Sequence, residues 1–231
     1  MVNARKYLGR LLPPTVKRLL RHGQLGSSRD LCSDRTRYHS VIPWRRHLFI
    51  DGGGYNGCSI RRFLKEFDRE GRFEIVTFEP NDVFANCYAD FPRHCLIRAA
   101  IHNRDGSQDF FLDPEDGDGS TFFRDKLTRE TGGYGALDVA NPVTVRTINL
   151  SRWIREHTKP FDYVILKLDV EGAEYDVLER MIRDRTIRRI KHLFVEWHWN
   201  RVGISQQRHE ELLRALQRRR VAMLEWDALG Y

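Results

Sequence analysis

The sequence predicts an α/β fold: a doubly wound, mostly parallel sheet with helices on both faces over residues 47–231, preceded by a basic N-terminal arm at 1–46. Three observations predict it. Short apolar runs of strand composition alternate with segments whose apolar residues recur at i, i+3, i+4 and i+7. The order strand–helix–strand repeats from residue 47 onward, as parallel sheets with right-handed crossovers require. The two most unusual segments, a glycine run and an acidic run, each directly follow a strand, where such sheets bind ligands.

The elements follow in order. Residues 47–50 read as a buried strand, and Ile60, Phe63, Leu64 and Phe67 give a helix face. Ile75–Phe78 is a second strand. Phe84, Cys87, Tyr88 and Phe91 give a second helical face closed by Pro92, and Cys95–Ile97 is a third strand. Residues 163–168 form a strand leading into a helix that buries Val177, Leu178, Met181 and Ile182. Leu193–Val195 is another strand, Leu212, Leu213 and Leu216 mark another helix, and Val221–Leu224 is a last strand. The alternation breaks between 106 and 149, where Gln108–Leu112 and Val143–Ile148 read as extra strands. They flank a Gly- and Asp-rich stretch at 114–142, long enough to be a lid over an acceptor, with Gly119, Ser120 and Thr121 as its candidate contacts; a surface insertion is the plainer account.

Composition limits what the chain can be. Of 231 residues, 41% are hydrophobic, enough for a core, and no run nears the ~20 apolar residues of a membrane span. Four cysteines (Cys32, Cys58, Cys87, Cys95) form no CxxC pair and no metal-ligand spacing, so no disulfide scaffold and no metal set are expected, and a reducing, cytoplasmic compartment is. The net charge of +7 is local: residues 1–46 hold 11 Lys/Arg against 2 acids, and the remainder 28 basic against 30 acidic residues. A near-neutral body argues against a nucleic-acid partner. Within the arm, Leu8, Leu11, Leu12, Val16, Leu19 and Leu20 oppose Arg5, Lys6, Arg10, Lys17, Arg18 and Arg21 around Pro13-Pro14. Residues 5–21 are therefore a candidate for peripheral contact with a membrane or an acidic partner, which would make the chain a non-catalytic binding module that works through its basic arm, against packing on the domain flank or targeting.

The segment Ile50-Asp51-Gly52-Gly53-Gly54-Tyr55-Asn56-Gly57 sits where a strand turns into a helix. Gly52, Gly54 and Gly57 fit the dinucleotide fingerprint G-x-G-x-x-G, with Glu79 at the next strand end for a ribose, which would make an NAD oxidoreductase. Asp51-x-Gly53-x-x-x-Gly57 equally fits the acid-led glycine loop of S-adenosylmethionine (SAM) enzymes, and a ligand-free structural turn is the third reading. Asp51 favours SAM, because a carboxylate repels a pyrophosphate and attracts a sulfonium and an ammonium group. Glu79 suits the SAM ribose diol as well.

Asp169, Glu171 and Glu174 crowd the end of the strand at 163–168. Helix capping by Asp169 or Glu171, with Glu174 in the first turn, is the alternative to a functional role. At the next strand end, Glu196 and His198 alternate to one side of an extended chain. His198 is a candidate general base; Asp169, Glu196 and His198 as metal ligands, or His198 as a packed histidine, are the other readings. Trp197 and Trp199 would wall a sugar pocket or belong to the core.

These segments resemble the FkbM family of SAM-dependent methyltransferases. The resemblance lies in Phe49-Ile50-Asp51-Gly52-Gly53-Gly54-Tyr55-Asn56-Gly57, Phe78-Glu79-Pro80-Asn81, Ala99-Ala100-Ile101, Leu166-Lys167-Leu168-Asp169-Val170-Glu171-Gly172-Ala173-Glu174 and Phe194-Val195-Glu196, in order and spacing from about residue 47 to 199. It implies a class I methyltransferase fold and O-methylation of a hydroxyl on a small-molecule or glycan acceptor. It implies that Asp51, Gly53, Tyr55 and Gly57 line the cofactor's amino-acid end, that Glu79 holds the ribose, that Ala100 and Ile101 lie beside the adenine, and that Asp169 stands at the transfer centre. The catalytic candidates are Asp169, Glu171 and His198. Tyr55 stands where the family usually has Asn. The chain leaves little length after Val221–Leu224 for the family's final antiparallel strand, so a sheet shortened at that edge is expected.

Overall fold

A computed structural model describes residues 46–114, 117–127 and 137–226. Residues 1–45 of the basic arm, including the 5–21 segment proposed above as a candidate for membrane contact, lie outside the described residues, as do parts of the 114–142 stretch. Among the described residues no helix is long and apolar enough to cross a membrane.

The main sheet has six strands, all parallel. They are β1 (His47–Gly52), β2 (Glu74–Phe78), β3 (His94–Ile97), β7 (Tyr163–Leu168), β8 (Ile190–Val195) and β9 (Ala222–Glu225), in the spatial order β3-β2-β1-β7-β8-β9. Alternation with period 2 divides the apolar side chains between two faces. Leu48, Ile50, Leu166, Leu168 and Leu193 join one cluster, and Phe49, Ile165 and Phe194 the other. Helix α1 (Cys58–Glu66) covers the second face, stacking Phe63 on Phe49 with ring centroids 3.9 Å apart. Helices α2 (Leu150–His157), α3 (Glu174–Arg183) and α4 (Gln206–Arg218) cover the first through Trp153, Ile154, Val177, Leu178, Met181, Leu212 and Leu216. The doubly wound parallel sheet is thus as the alternation predicts.

Three details differ. The Phe84–Tyr88 face belongs to a 3₁₀ helix, Asp82–Tyr88, not an α-helix; apolar spacings of three and four residues serve either, and Asn81 caps it by accepting from Val83 N at 3.2 Å. The extra strands are β5 (Gly106–Phe110) and β6 (Val143–Asn149), and with β4 (Ala100–His102) they make a separate three-stranded sheet, β4-β6-β5. Neither β4 nor α2 is among the predicted elements: β4 has only three residues, whereas α2 carries its signal in Leu150, Trp153 and Ile154 at i, i+3 and i+4 and in the N-cap Asn149, which accepts from Arg152 N at 3.1 Å. At the far edge β9 pairs parallel to β8, and among the described residues no antiparallel strand joins it.

The chain order reverses at β1, which pairs with β2 on one side and β7 on the other. That switch point opens a crevice at the carboxyl ends of the strands, and the small sheet stands beside it.

Candidate active site

A cleft opens at this switch point. Glycine turn, acidic turn and small sheet all contribute to it. Its lining includes Gly53, Tyr55, Glu79, Ala100, Ile101, Asp169 and Glu171, all expected site residues. Phe78, Phe110 and Phe122 add apolar wall, and Gly117, Asp118 and Ser120 bring in the segment expected to be a lid.

Gly53 carries the turn at φ +74. Its backbone lies so close to the acidic turn that an added Cβ would fall 1.8 Å from the Asp169 carbonyl oxygen. Tyr55 is left-handed at φ 48, a conformation in which Asn is much less strained than a bulky residue. It is fixed there by its N–H donating to Glu79 Oε2 at 2.8 Å, by Tyr88 Oη donating to its carbonyl at 2.5 Å, and by its ring edge on Phe84. Glu79 accepts a second backbone donor, Asn81 N, on Oε1 at 2.8 Å. Burial pushes the Glu79 carboxyl up to about 7, against the lowering effect of those two N–H groups and of Lys167.

Two expected cofactor residues do not line the cleft. Asp51 is fully buried beneath the turn, where Oδ2 accepts from Ser59 Oγ at 2.7 Å and Thr77 Oγ1 at 3.2 Å. Burial raises its pKa, and Lys167 opposes that. Gly57 instead starts α1 at φ 81, where a Cβ would meet the Phe91 ring at 2.8 Å. Both therefore shape the turn from behind.

On the other wall, Glu174 is completely buried and caps the acidic turn from within: Oε1 accepts from Val170 N at 2.9 Å and Oε2 from Gly172 N at 3.0 Å. Neither Asp169 nor Glu171 is an N-cap; that position is Ala173. Glu174 Oε1 also accepts from His198 Nδ1 at 3.0 Å. His198 is likewise fully buried, standing behind Asp169 and Glu171 rather than in the lining. Its Nε2 faces Glu171 Oε2 at 3.3 Å, Glu196 Oε1 at 3.6 Å and Asp169 Oδ1 at 3.8 Å. Burial disfavours an imidazolium, but Glu171 and Glu174 outweigh it and raise the His198 pKa well above its ordinary value. An imidazole already protonated is no proton acceptor.

Two lysines complete the site, neither of them among the expected site residues. Lys167 Nζ donates to the Gly53 carbonyl at 2.5 Å and lies 3.2 Å from Asp169 Oδ2 and 3.6 Å from Asp51 Oδ1, tying both turns together. The signal was a lysine inside an otherwise apolar central strand, two residues before Asp169 and on the same side of the pleat. Lys126, from the 114–142 stretch, pairs with Glu171 Oε2 at 2.6 Å and donates to the Gly119 carbonyl at 2.7 Å. Thr121 Oγ1 donates to the Glu171 carbonyl at 2.6 Å, so this part of the stretch is a packed wall of the cleft. Trp197 and Trp199 pack about His209 and against the core rather than walling the cleft.

Among the described residues the lining carries four acidic side chains, Glu79, Asp118, Asp169 and Glu171, and no Lys or Arg. Such a cleft repels a pyrophosphate and favours a cationic ligand. Compared with known families, the chain matches the model described as the methyltransferase FkbM domain over residues 51–222. No curated protein and no solved structure matches it.

Proposed function

The chain belongs to the FkbM methyltransferase family, and from that premise we propose that it transfers a methyl group from SAM to a hydroxyl oxygen of a sugar, glycan or natural-product acceptor. The observation that carries this reading is that the charged side chains in the described lining are all acidic, with Glu79 and Asp169 at opposite sides of one cleft. SAM supplies an electrophilic methyl group on a cationic sulfur.

The residues present suit that group. Each Glu79 oxygen accepts one backbone N–H and retains acceptor capacity for a vicinal diol. Phe78, Ala100 and Ile101 offer apolar surface for a flat purine, and the acidic wall suits the positive end. Asp169 is the residue we assign to the acceptor hydroxyl, holding it and taking its proton, because its pairing with Lys167 at 3.2 Å is looser than that of Glu171 with Lys126 at 2.6 Å, and His198 is buried behind both. The NAD alternative loses its original counter-argument, since Asp51 is not in the cleft, and gains a stronger one in the four lining acids.

Calorimetric titration of the full chain with S-adenosylhomocysteine and, separately, with NAD tests the reading. The expected result is micromolar-range binding of the first, on the order of ~1–1,000 μM, and no heat from the second. Binding of NAD without binding of S-adenosylhomocysteine would overturn it.

A further inference from the structure

The polar atoms behind Asp169 outnumber the partners they find. His198 Nε2 is fully buried with no hydrogen-bond partner, although three carboxylate oxygens stand 3.3–3.8 Å away. One ligand atom each from Asp169, Glu196 and His198 lies within 4.8 Å of the others. Atoms bound at about 2.1 Å to one ion sit at most about 4.2 Å apart, so an adjustment of a few tenths of an ångström closes the set. The same cluster gathers five carboxylates (Asp51, Asp169, Glu171, Glu174, Glu196) about Lys126, Lys167 and His198.

We propose that Asp169, Glu196 and His198 form a divalent-cation site at the inner edge of the cleft, with Glu174 as the carboxylate that orients the histidine. Glu174 accepts the Nδ1 proton, which leaves the Nε2 lone pair aimed at the other two ligands, the arrangement that fixes tautomer and ring direction in metal-bound histidines. Glu196 is held in register by its N–H donating to the Leu168 carbonyl at 3.0 Å, beside the strand end that carries Asp169. Two carboxylates with one imidazole suit Mn²⁺ and its first-row neighbours. Under the methyl-transfer reading, on which this last point rests, a cation here would stand where an acceptor hydroxyl is held and ease loss of its proton.

The test is uptake of Mn²⁺ by the full chain after treatment with chelator, followed by the loss of the free-ion electron paramagnetic resonance signal. The expected result is about one equivalent bound, with spin-echo modulation from an imidazole nitrogen. Glu196→Gln, at a partly exposed position that leaves the core untouched, weakens uptake by at least about tenfold. His198→Gln removes the nitrogen modulation. Thermal unfolding of each variant reports that it is folded. Absence of uptake at millimolar Mn²⁺, uptake without nitrogen coupling, or uptake indifferent to both substitutions overturns the site. S-adenosylhomocysteine calorimetry on the same samples separates the two ideas: a chain that binds the nucleoside but no Mn²⁺ loses only the cation site, and one that binds Mn²⁺ but no nucleoside loses only the transferase reading.

Discussion

The two walls of the cleft are built from different materials. At the tips of β1 and β2 the wall is backbone and one carboxylate: a glycine turn, a left-handed Tyr55 and Glu79 between two N–H donors. At the tips of β7 and β8 it is crowded side-chain charge, with Asp169, Glu171, Glu174, Glu196 and His198 locked around one another and around Lys126. The first wall has shape and little charge, which suits holding a ligand in one orientation. The second concentrates groups that move or stabilise protons. Their meeting point is Lys167, which bonds the Gly53 carbonyl and pairs with Asp169. Binding and chemistry should therefore be separable by mutation.

The largest expected separation comes from Asp169→Asn. The amide keeps the size of the side chain but neither accepts a proton nor carries charge. Methyl transfer should fall by about 10²–10⁴-fold, the usual contribution of a positioned acid or base, while S-adenosylhomocysteine affinity changes by less than about threefold, under 1 kcal/mol. Turnover and calorimetry on the same preparation check it. An equal loss in both would show that the walls act as one unit.

The walls also differ in how far the sequence discloses them. The glycine turn, Glu79 and the acidic run are local strings, so their strand-end placement is legible from spacing. Gly53, Glu79 and Asp169 accordingly line the cleft. What spacing cannot show is which way a side chain leaves the turn. Asp51 and Gly57 belong to the same motif, yet one points down to Ser59 and Thr77 and the other packs against Phe91. Glu174 reads as an ordinary first-turn acid, whereas its burial against His198 depends on a residue 24 positions away. Lys126 has no local signal, because its partner Glu171 comes from a distant strand end. The small sheet was half legible: β5 and β6 alternate visibly, but β4 has three residues and is specified by its pairing with β6.

The second expected effect tests the binding wall alone. Glu79→Ala removes the acceptor for a ribose diol and the partner of two backbone N–H groups. Hydrogen bonds to a charged group are worth about 1.5–3 kcal/mol each, so S-adenosylhomocysteine affinity should drop by about tenfold to a hundredfold or more. Glu79→Gln, which keeps one carbonyl oxygen for the turn, should lose less. Turnover at saturating cofactor should fall little in the glutamine variant. If Glu79→Gln instead lowered saturated turnover as strongly as Asp169→Asn, the proposed division between holding and proton transfer would fail.

The smallest effect is a pH dependence with opposite signs in folding and binding. The Glu79 carboxyl is raised to about 7 from an ordinary 4.5 by burial, with Asp51 adding to the rise and Lys167 and the two N–H donors opposing it. In the free protein its contribution to stability is fully present below the unfolded value and is lost as pH rises through about 7. A diol donates to the ionised carboxylate, so binding releases a proton and affinity runs the other way. S-adenosylhomocysteine should bind progressively more weakly below pH 7, by at most about tenfold per pH unit, while the contribution of Glu79 to the unfolding midpoint of the free protein increases. Glu79→Gln should flatten the part of both profiles that belongs to this group and leave whatever Glu171 and His198 contribute. An affinity profile identical in wild type and Glu79→Gln would move the titrating group to the acidic wall and erase the distinction between the two sides.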